Sequence, residues 1–185
     1  MKYNSEIKLR NGDTLLLRSL HAGDAQAAVL VGKRTAGETL NMMRYEDEWI
    51  ITPEKEREIL YEIENAPKAL MLGAFLDNRL VGMASLRPVH PGDRARHRAA
   101  IGISILKAYW GQGIGTAMMQ ALIAAAKTTP LEQLELDVVS TNETAIRLYQ
   151  RVGFVEYGRH PRTMKYRDGS YADTILMMLD LRRGS

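Results

Sequence analysis

One stretch, Ala99 to Ala126 (AAIGISILKAYWGQGIGTAMMQALIAAA), constrains this chain more than any other. A β-branched apolar run, Ile101 to Leu106, leads through a short turn into glycines at 111, 113 and 115, and an Ala/Met/Leu-rich helix follows at once. Glycine has no Cβ, so the main chain there can approach a ligand closely. A helix start leaves unpaired N–H groups and the positive end of the helix dipole pointing the same way. Strand, glycine turn and helix start together predict an anion site suited to a phosphate or diphosphate.

Two phosphate loops are excluded by spacing. A P-loop needs Gly-Lys-Ser/Thr, which occurs nowhere in the chain. A dinucleotide fingerprint needs GxGxxG, but its third glycine falls on Thr116 when counted from Gly111 and on Met118 when counted from Gly113. A second motif lies downstream, in Leu134 to Gly158 (LELDVVSTNETAIRLYQRVGFVEYG). It reads as a strand to Val139, a polar turn holding Asn142, a helix from Glu143 to Arg151 and a Gly153-Phe154 re-entry. Ala145, Leu148 and Tyr149 share one face of that helix.

Trp-Gly-Gln-Gly-Ile-Gly (110–115), followed by Asn142, Tyr149 and Gly153-Phe154, resembles the coenzyme A signature of the GNAT N-acetyltransferases. The resemblance covers the second half of the chain in detail and the first half in layout. The family pattern usually opens with Gln or Arg, where this chain has Trp110. The resemblance implies an α/β fold: a central, twisted, mostly antiparallel mixed sheet with two splayed strands, flanked by helices. It also implies acetyl-CoA as cosubstrate, with the pantetheine arm between the strands of Ile101–Leu106 and Leu134–Val139. Along Ile103, Ser104 and Ile105, the main chain of Ile103 and Ile105 would bond the arm's amides as an edge takes an added strand. The amides of Gly111, Gln112, Gly113, Ile114, Gly115 and Thr116 would hold the diphosphate.

The same resemblance places a general acid at Tyr149, facing the thioester sulfur. A phenol, with a reference pKa of about 10, can protonate a leaving thiolate while remaining un-ionised at neutral pH. An amphipathic helix would also use such a tyrosine as an ordinary core aromatic. Asn142 is either a coenzyme contact or the N-cap of its helix. Asp137, five residues before Asn142, stands where relatives that acetylate protein N-termini carry a carboxylate base, although strand alternation alone would turn it outward. Histone-type relatives place a Glu on the preceding strand, where this chain has Ala99 and Ala100. Glu46, Asp47 and Glu48 lie in the segment that shapes the acceptor pocket of this family, where they would attract a cationic amine, but from the residues they read first as a solvated acidic loop. The loop His90 to Arg98 reads as a basic surface hairpin.

Composition agrees with one globular domain spanning 1–185: 45% hydrophobic, 25% charged and a net charge of +3 that demands no nucleic acid. With no cysteine there is no disulfide, thiolate metal site or cysteine acyl-enzyme, as suits a reducing cytoplasm. No metal is expected, since His21 and His160 stand alone. No secretory h-region and no apolar run of about 18 residues is present, so neither export nor a membrane span is expected. Met pairs 42/43, 118/119 and 177/178 read as core filler, the first pair also as an adaptable pocket lining.

The chain then reads in order. A hairpin turns at Asn11-Gly12, an Ala-rich helix ends near Gly32, and Thr35 to Ile51 is irregular. A helix starts at Thr52-Pro53-Glu54, and strands Lys68–Leu76 and Leu80–Arg87 meet at Asp77-Asn78. The glycine-loop strand and helix follow, then the second motif, closing strands Phe154–His160 and Tyr171–Leu181, and a frayed tail from Leu181 to Ser185. The expected activity is acetyl transfer to a primary amine, on a small molecule or a peptide N-terminus, by direct attack in a ternary complex. A homodimer fits the family. A coenzyme A-binding module without catalysis would keep the glycine loop and need no acid, and the acyl chain length is left open.

Overall fold

The computed structural model describes residues 1–182. Eight strands form one sheet in the order β1-β2-β3-β4-β5-β6-β8-β7. They are β1 (Asn4–Lys8), β2 (Thr14–Ser19), β3 (Leu70–Leu76), β4 (Arg79–Pro88), β5 (Arg98–Ile105), β6 (Gln133–Val139), β7 (Val155–Lys165) and β8 (Tyr171–Asp180). Four helices flank it: α1 (Ala25–Glu38), α2 (Pro53–Asn65), α3 (Ile114–Lys127) and α4 (Glu143–Arg151). Every strand contact is antiparallel except β5 with β6. This is the mixed α/β architecture expected from the two motifs.

Local chemistry fixes the joints. Asp77 and Asn78 take φ of 48° and 62°, as a two-residue hairpin turn requires, and so set the β3–β4 register. Thr52 caps α2 by accepting the Lys55 N–H at 3.3 Å, with Pro53 in the first turn. The core lies in two layers. One side of the sheet meets α3 and α4 through Met118, Met119, Leu122, Leu134, Leu136, Met177 and Phe154. The other meets α1 and α2 through Leu20, Ala28, Val31, Leu60, Phe75 and Leu106. The methionines 118, 119 and 177 are thus core, whereas Met43 is exposed.

Three boundaries differ from the sequence reading. Helix α1 runs past Gly32 to Glu38. Gly32 does not end the helix; it makes room, because a Cβ there would overlap the indole of Trp49, and one at Gly37 would overlap the carboxylate of Glu46. Gly32 inside the helix and Gly37 in its last turn thus let the α1–α2 connection lie directly on the helix backbone. Strand β7 continues beyond His160 to Lys165. Pro161 has no N–H to give, and a register shift between His160 and Met164 absorbs it, with Arg162 at φ 54° donating its N–H to Asp173 Oδ1 at 2.8 Å. Leu181 is not frayed: it is buried, and its N–H bonds the Glu132 carbonyl at 2.8 Å. Residues 183–185, the rest of the expected tail, lie outside the described residues.

Gly→Ala inside a helix normally stabilises by about 1 kcal/mol. At Gly32 the sign should reverse: G32A should destabilise by about 1–3 kcal/mol through overpacking against Trp49. Urea unfolding of G32A, W49A and the double variant checks this, and the double variant should be more stable than the sum of the two singles predicts.

Candidate active site

Strands β5 and β6 separate almost as soon as they meet. They pair only at Arg98–Gln133, Ala99–Leu134 and Ala100–Glu135. The vertex is tied by the Arg98 guanidinium, which holds both oxygens of Glu135, while Gln133 Nε2 donates to Glu135 Oε1 at 2.7 Å. The cation beside it holds the Glu135 carboxyl below its ordinary range. Beyond the vertex β5 stays bonded to β4, and β6 to β8, so a gap opens between them.

Ladder alternation decides which main-chain groups face that gap. Leu106 N–H bonds the Val81 carbonyl at 2.9 Å, which turns the main chain of Leu106, Ser104 and Gly102 toward β4. The main chain of Ile101, Ile103 and Ile105 therefore faces the gap. Of the three consecutive residues singled out in the sequence, Ile103 and Ile105 present amide groups to the cleft, and the main chain of Ser104 points away from it.

The β5 edge runs straight into the glycine turn. A 3₁₀ turn over Lys107–Tyr109 comes first, bonded by Tyr109 N–H to Leu106 O and Trp110 N–H to Lys107 O. Gly111 and Gly113 then take φ of 76° and 87°, and a Cβ at either would meet no atom within 4 Å. The turn is open and its conformation needs glycine. Gly113 is the residue before α3, and among the described residues no side chain caps the helix. The Ala117 N–H bonds Gly113 O, but among the described residues no loop or cap bond uses the N–H groups of residues 111–116. Ile114 contributes only its amide, because its side chain is buried. Gly115 differs from the other two glycines. A Cβ there would stand 3.1 Å from Leu148 Cδ2 and 3.5 Å from Ile105 Cδ1, so this glycine seats α3 on β5 and α4.

On the α3/α4 side, Asn142 Oδ1 accepts the Ala145 N–H at 3.3 Å and so caps α4. Tyr149 is the buried residue of that helix, 7% exposed, with its ring 6.2 Å from that of Phe154 at 58°. Burial disfavours the phenolate and pushes the hydroxyl up to about 12. Asp137 is exposed between buried Leu136 and Val138, so it projects from the opposite side of β6. The sheet lies between these two groups except at the gap, which β6 borders. Partial burial, followed by the charges of Glu135 and Asp137, raises the Tyr157 hydroxyl above its ordinary value. Sequence patterning gave no sign of Tyr157 or of the Arg98–Glu135 tie, since both arise from strand neighbours remote in sequence.

A cavity of about 560 Å³ lies between the end of α1, the α1–α2 connection and the β7–β8 turn. Its walls include Lys33, Gly37, Glu38, Tyr45, Glu46 and Arg167. Arg167 closes one side: its Nη2 donates to both oxygens of Asp47 at 2.7 Å, and its guanidinium stacks 4.1 Å from the Tyr45 ring centre. The acidic cluster is therefore largely committed. Asp47 pairs with Arg167, Glu48 accepts the Tyr45 N–H at 2.8 Å, and Glu46 lies on Gly37. In the basic loop, Arg96 pairs with Asp93 and Arg98 with Glu135. His21 caps the turn before α1, its Nδ1 accepting from Gly23 N–H at 3.1 Å. Among the described residues no three His, Cys, Asp or Glu side chains cluster as a metal site, and no helix is long and apolar enough to cross a membrane.

The family model described as "Acetyltransferase (GNAT) family" matches residues 37–154, which hold the cleft, the glycine turn and Tyr149. The chain belongs to the GNAT acetyltransferase family. It is 36% identical to N-alpha-acetyltransferase 30 of Schizosaccharomyces pombe over 86 residues, 45% of this chain and 57% of that protein. The chain spans about half the length of the curated relatives it matches. A GNAT acetyltransferase structure from Streptococcus pneumoniae superposes with TM-score 0.85 at 29% identity, covering 90% of this chain and 98% of that one. A structure from Salmonella typhimurium with its cofactor acetyl-CoA superposes with TM-score 0.82 at 18% identity, covering 92% and 96% of the two chains.

The three glycines of this GNAT loop should separate by substitution. G113V forces a β-branched residue into a left-handed conformation, at a cost of about 1–3 kcal/mol in strain, and should weaken coenzyme A binding at least tenfold in calorimetry. G115A should act by packing instead, and L148A in the same chain should recover most of its loss.

Proposed function

We propose that this GNAT protein acts as one domain that transfers the acetyl group of acetyl-CoA to a primary amine by direct attack in a ternary complex. The observation that carries this reading is the continuity of a strand edge that is free from Ile103 to the Ile105 N–H, the Ile105 carbonyl being taken by Trp110, with an open run of amides from Gly111 to Thr116. The pantetheine arm of coenzyme A is an amide chain ending in a diphosphate, and these two features match its two halves in order. The residues present thus fit the group, and the fold neighbour from Salmonella typhimurium is a complex with acetyl-CoA.

Bound acetyl-CoA supplies an activated thioester. The protein's share begins with placement, which can be worth about 7–11 kcal/mol when two reactants are held in line. Ile103 and Ile105 hold the arm in the gap, and the amides of 111–116 anchor the diphosphate. Tyr149 holds the proton that neutralises the leaving sulfur. Its raised affinity for that proton keeps the acid loaded across the range in which a primary amine becomes neutral, and makes the phenol a weaker donor to the sulfur. Asp137, on the other side of β6, accepts the proton released by the amine, directly or through water. Asn142 holds the start of α4 and hence the placement of Tyr149. The acceptor enters from the side of the cavity walled by Tyr45, Glu46 and Arg167. The S. pombe relative, an N-alpha-acetyltransferase, supports a peptide N-terminus as one acceptor class, beside small-molecule amines.

A coenzyme A-binding module without catalysis is the competing function, and one observation favours it. Tyr149 is as buried, and as packed against Phe154, as a purely structural aromatic would be. Y149F decides between them. As the acid, its loss should lower kcat by about 10²-fold or more with coenzyme affinity changed less than threefold. A module would show no thiol release with any amine in a panel, before or after substitution.

The pH profile gives a second test. Because burial raises the phenol, it stays protonated below about pH 11, and the rate should climb with pH toward the pKa of the amine. A descending limb below pH 9 that persists unchanged in Y149F would contradict the assignment of the acid, and one that disappears in Y149F would contradict the burial-raised phenol.

A further inference from the structure

Trp110 is half exposed at the hinge between the two halves of the cleft, yet its indole is fully engaged: Nε1–H donates to the Ile105 carbonyl at 2.7 Å. That carbonyl is the last gap-facing acceptor of β5 before the chain turns. Left bare, it would aim negative partial charge at the place where a diphosphate must sit. The indole N–H is the only donor a tryptophan side chain has, and here it covers that charge. The same bond links a residue of the strand edge to the residue just before Gly111. With the turn bonds from Tyr109 and Trp110 N–H, it fixes where the amide run begins relative to the edge. Gln112 adds a weaker brace, Nε2 to Ala108 O at 3.3 Å.

We propose that Trp110 is a positioning residue that sets the spacing between the pantetheine edge and the diphosphate turn, and that it ends pantetheine pairing at the Ile105 N–H by occupying the Ile105 carbonyl. This rests on the coenzyme reading above. A ligand spanning both halves feels their spacing, and a ligand held by one half does not. The loss from breaking the tie should therefore fall on intact coenzyme A.

Calorimetry with coenzyme A and with ADP, as a diphosphate lacking the pantetheine arm, tests this. W110F keeps the ring and loses the donor. It should weaken coenzyme A five- to tenfold, the scale of one hydrogen bond, and ADP less than twofold. W110R restores an N–H donor and should recover most of the coenzyme A affinity. A melting temperature within a few degrees of wild type checks that each variant is folded. Unchanged coenzyme A affinity in W110F overturns the proposal, and so does an equal loss for ADP, which would mean the turn alone had collapsed. If the unaltered protein binds no coenzyme A, the cleft reading fails and the role of Trp110 fails with it. If it binds and W110F matches it, the role of Trp110 alone is lost.

Discussion

A parallel strand pair that stops after three residues governs this molecule. Beyond Ala100 and Glu135, strand β5 has lost one neighbour and strand β6 another, in the middle of the sheet, while each stays paired on its far side. An unpaired edge inside a protein is a liability unless something fills it, because each main-chain N–H and carbonyl there forgoes a bond. The fold tolerates the gap by anchoring each strand firmly on its far side, β5 to β4 and β6 to β8. Arg98 and Glu135 close the vertex.

In the proposed reaction the gap would let groups on opposite faces of one sheet act together. Tyr149 belongs to the packed face against α4, and Asp137 to the exposed face. For that, both must reach the space where the sheet is split. Their environments differ accordingly. The phenol is buried and kept protonated, while the carboxylate stands in solvent. The proposed acid and base would thus be separated by burial as well as by position.

Much of this was legible in the sequence because it was local. The alternation of glycines at 111, 113 and 115, the helix face Ala145-Leu148-Tyr149, Asn142 ahead of its helix and Thr52-Pro53 ahead of α2 each act within a few residues. The structure keeps those elements, although it splits the glycines into two that need positive φ and one that needs space. What escaped depends on partners far along the chain. Gly32 reads as a helix stop until Trp49 is laid across it. Pro161 reads as a strand stop until the bulge pinned by Asp173 is known. Glu46, Asp47 and Glu48 read as one acidic patch, but Arg167, from the far hairpin, takes Asp47 out of it. The bond from Trp110 to Ile105 spans only five residues, yet nothing in residue type or periodicity announces it.

The central claim is that the open edge of β5 and the amides after it form one continuous coenzyme cradle. Hydrogen exchange of the individual main-chain amides, with and without coenzyme A, tests it most directly. Ile103, Ile105 and the run from Gly111 to Thr116 should slow together on binding, while Gly102 and Ser104, already bonded to β4, should change little. Protection confined to the glycine turn, or falling elsewhere on the sheet, would contradict the cradle and the placement of the thioester that follows from it.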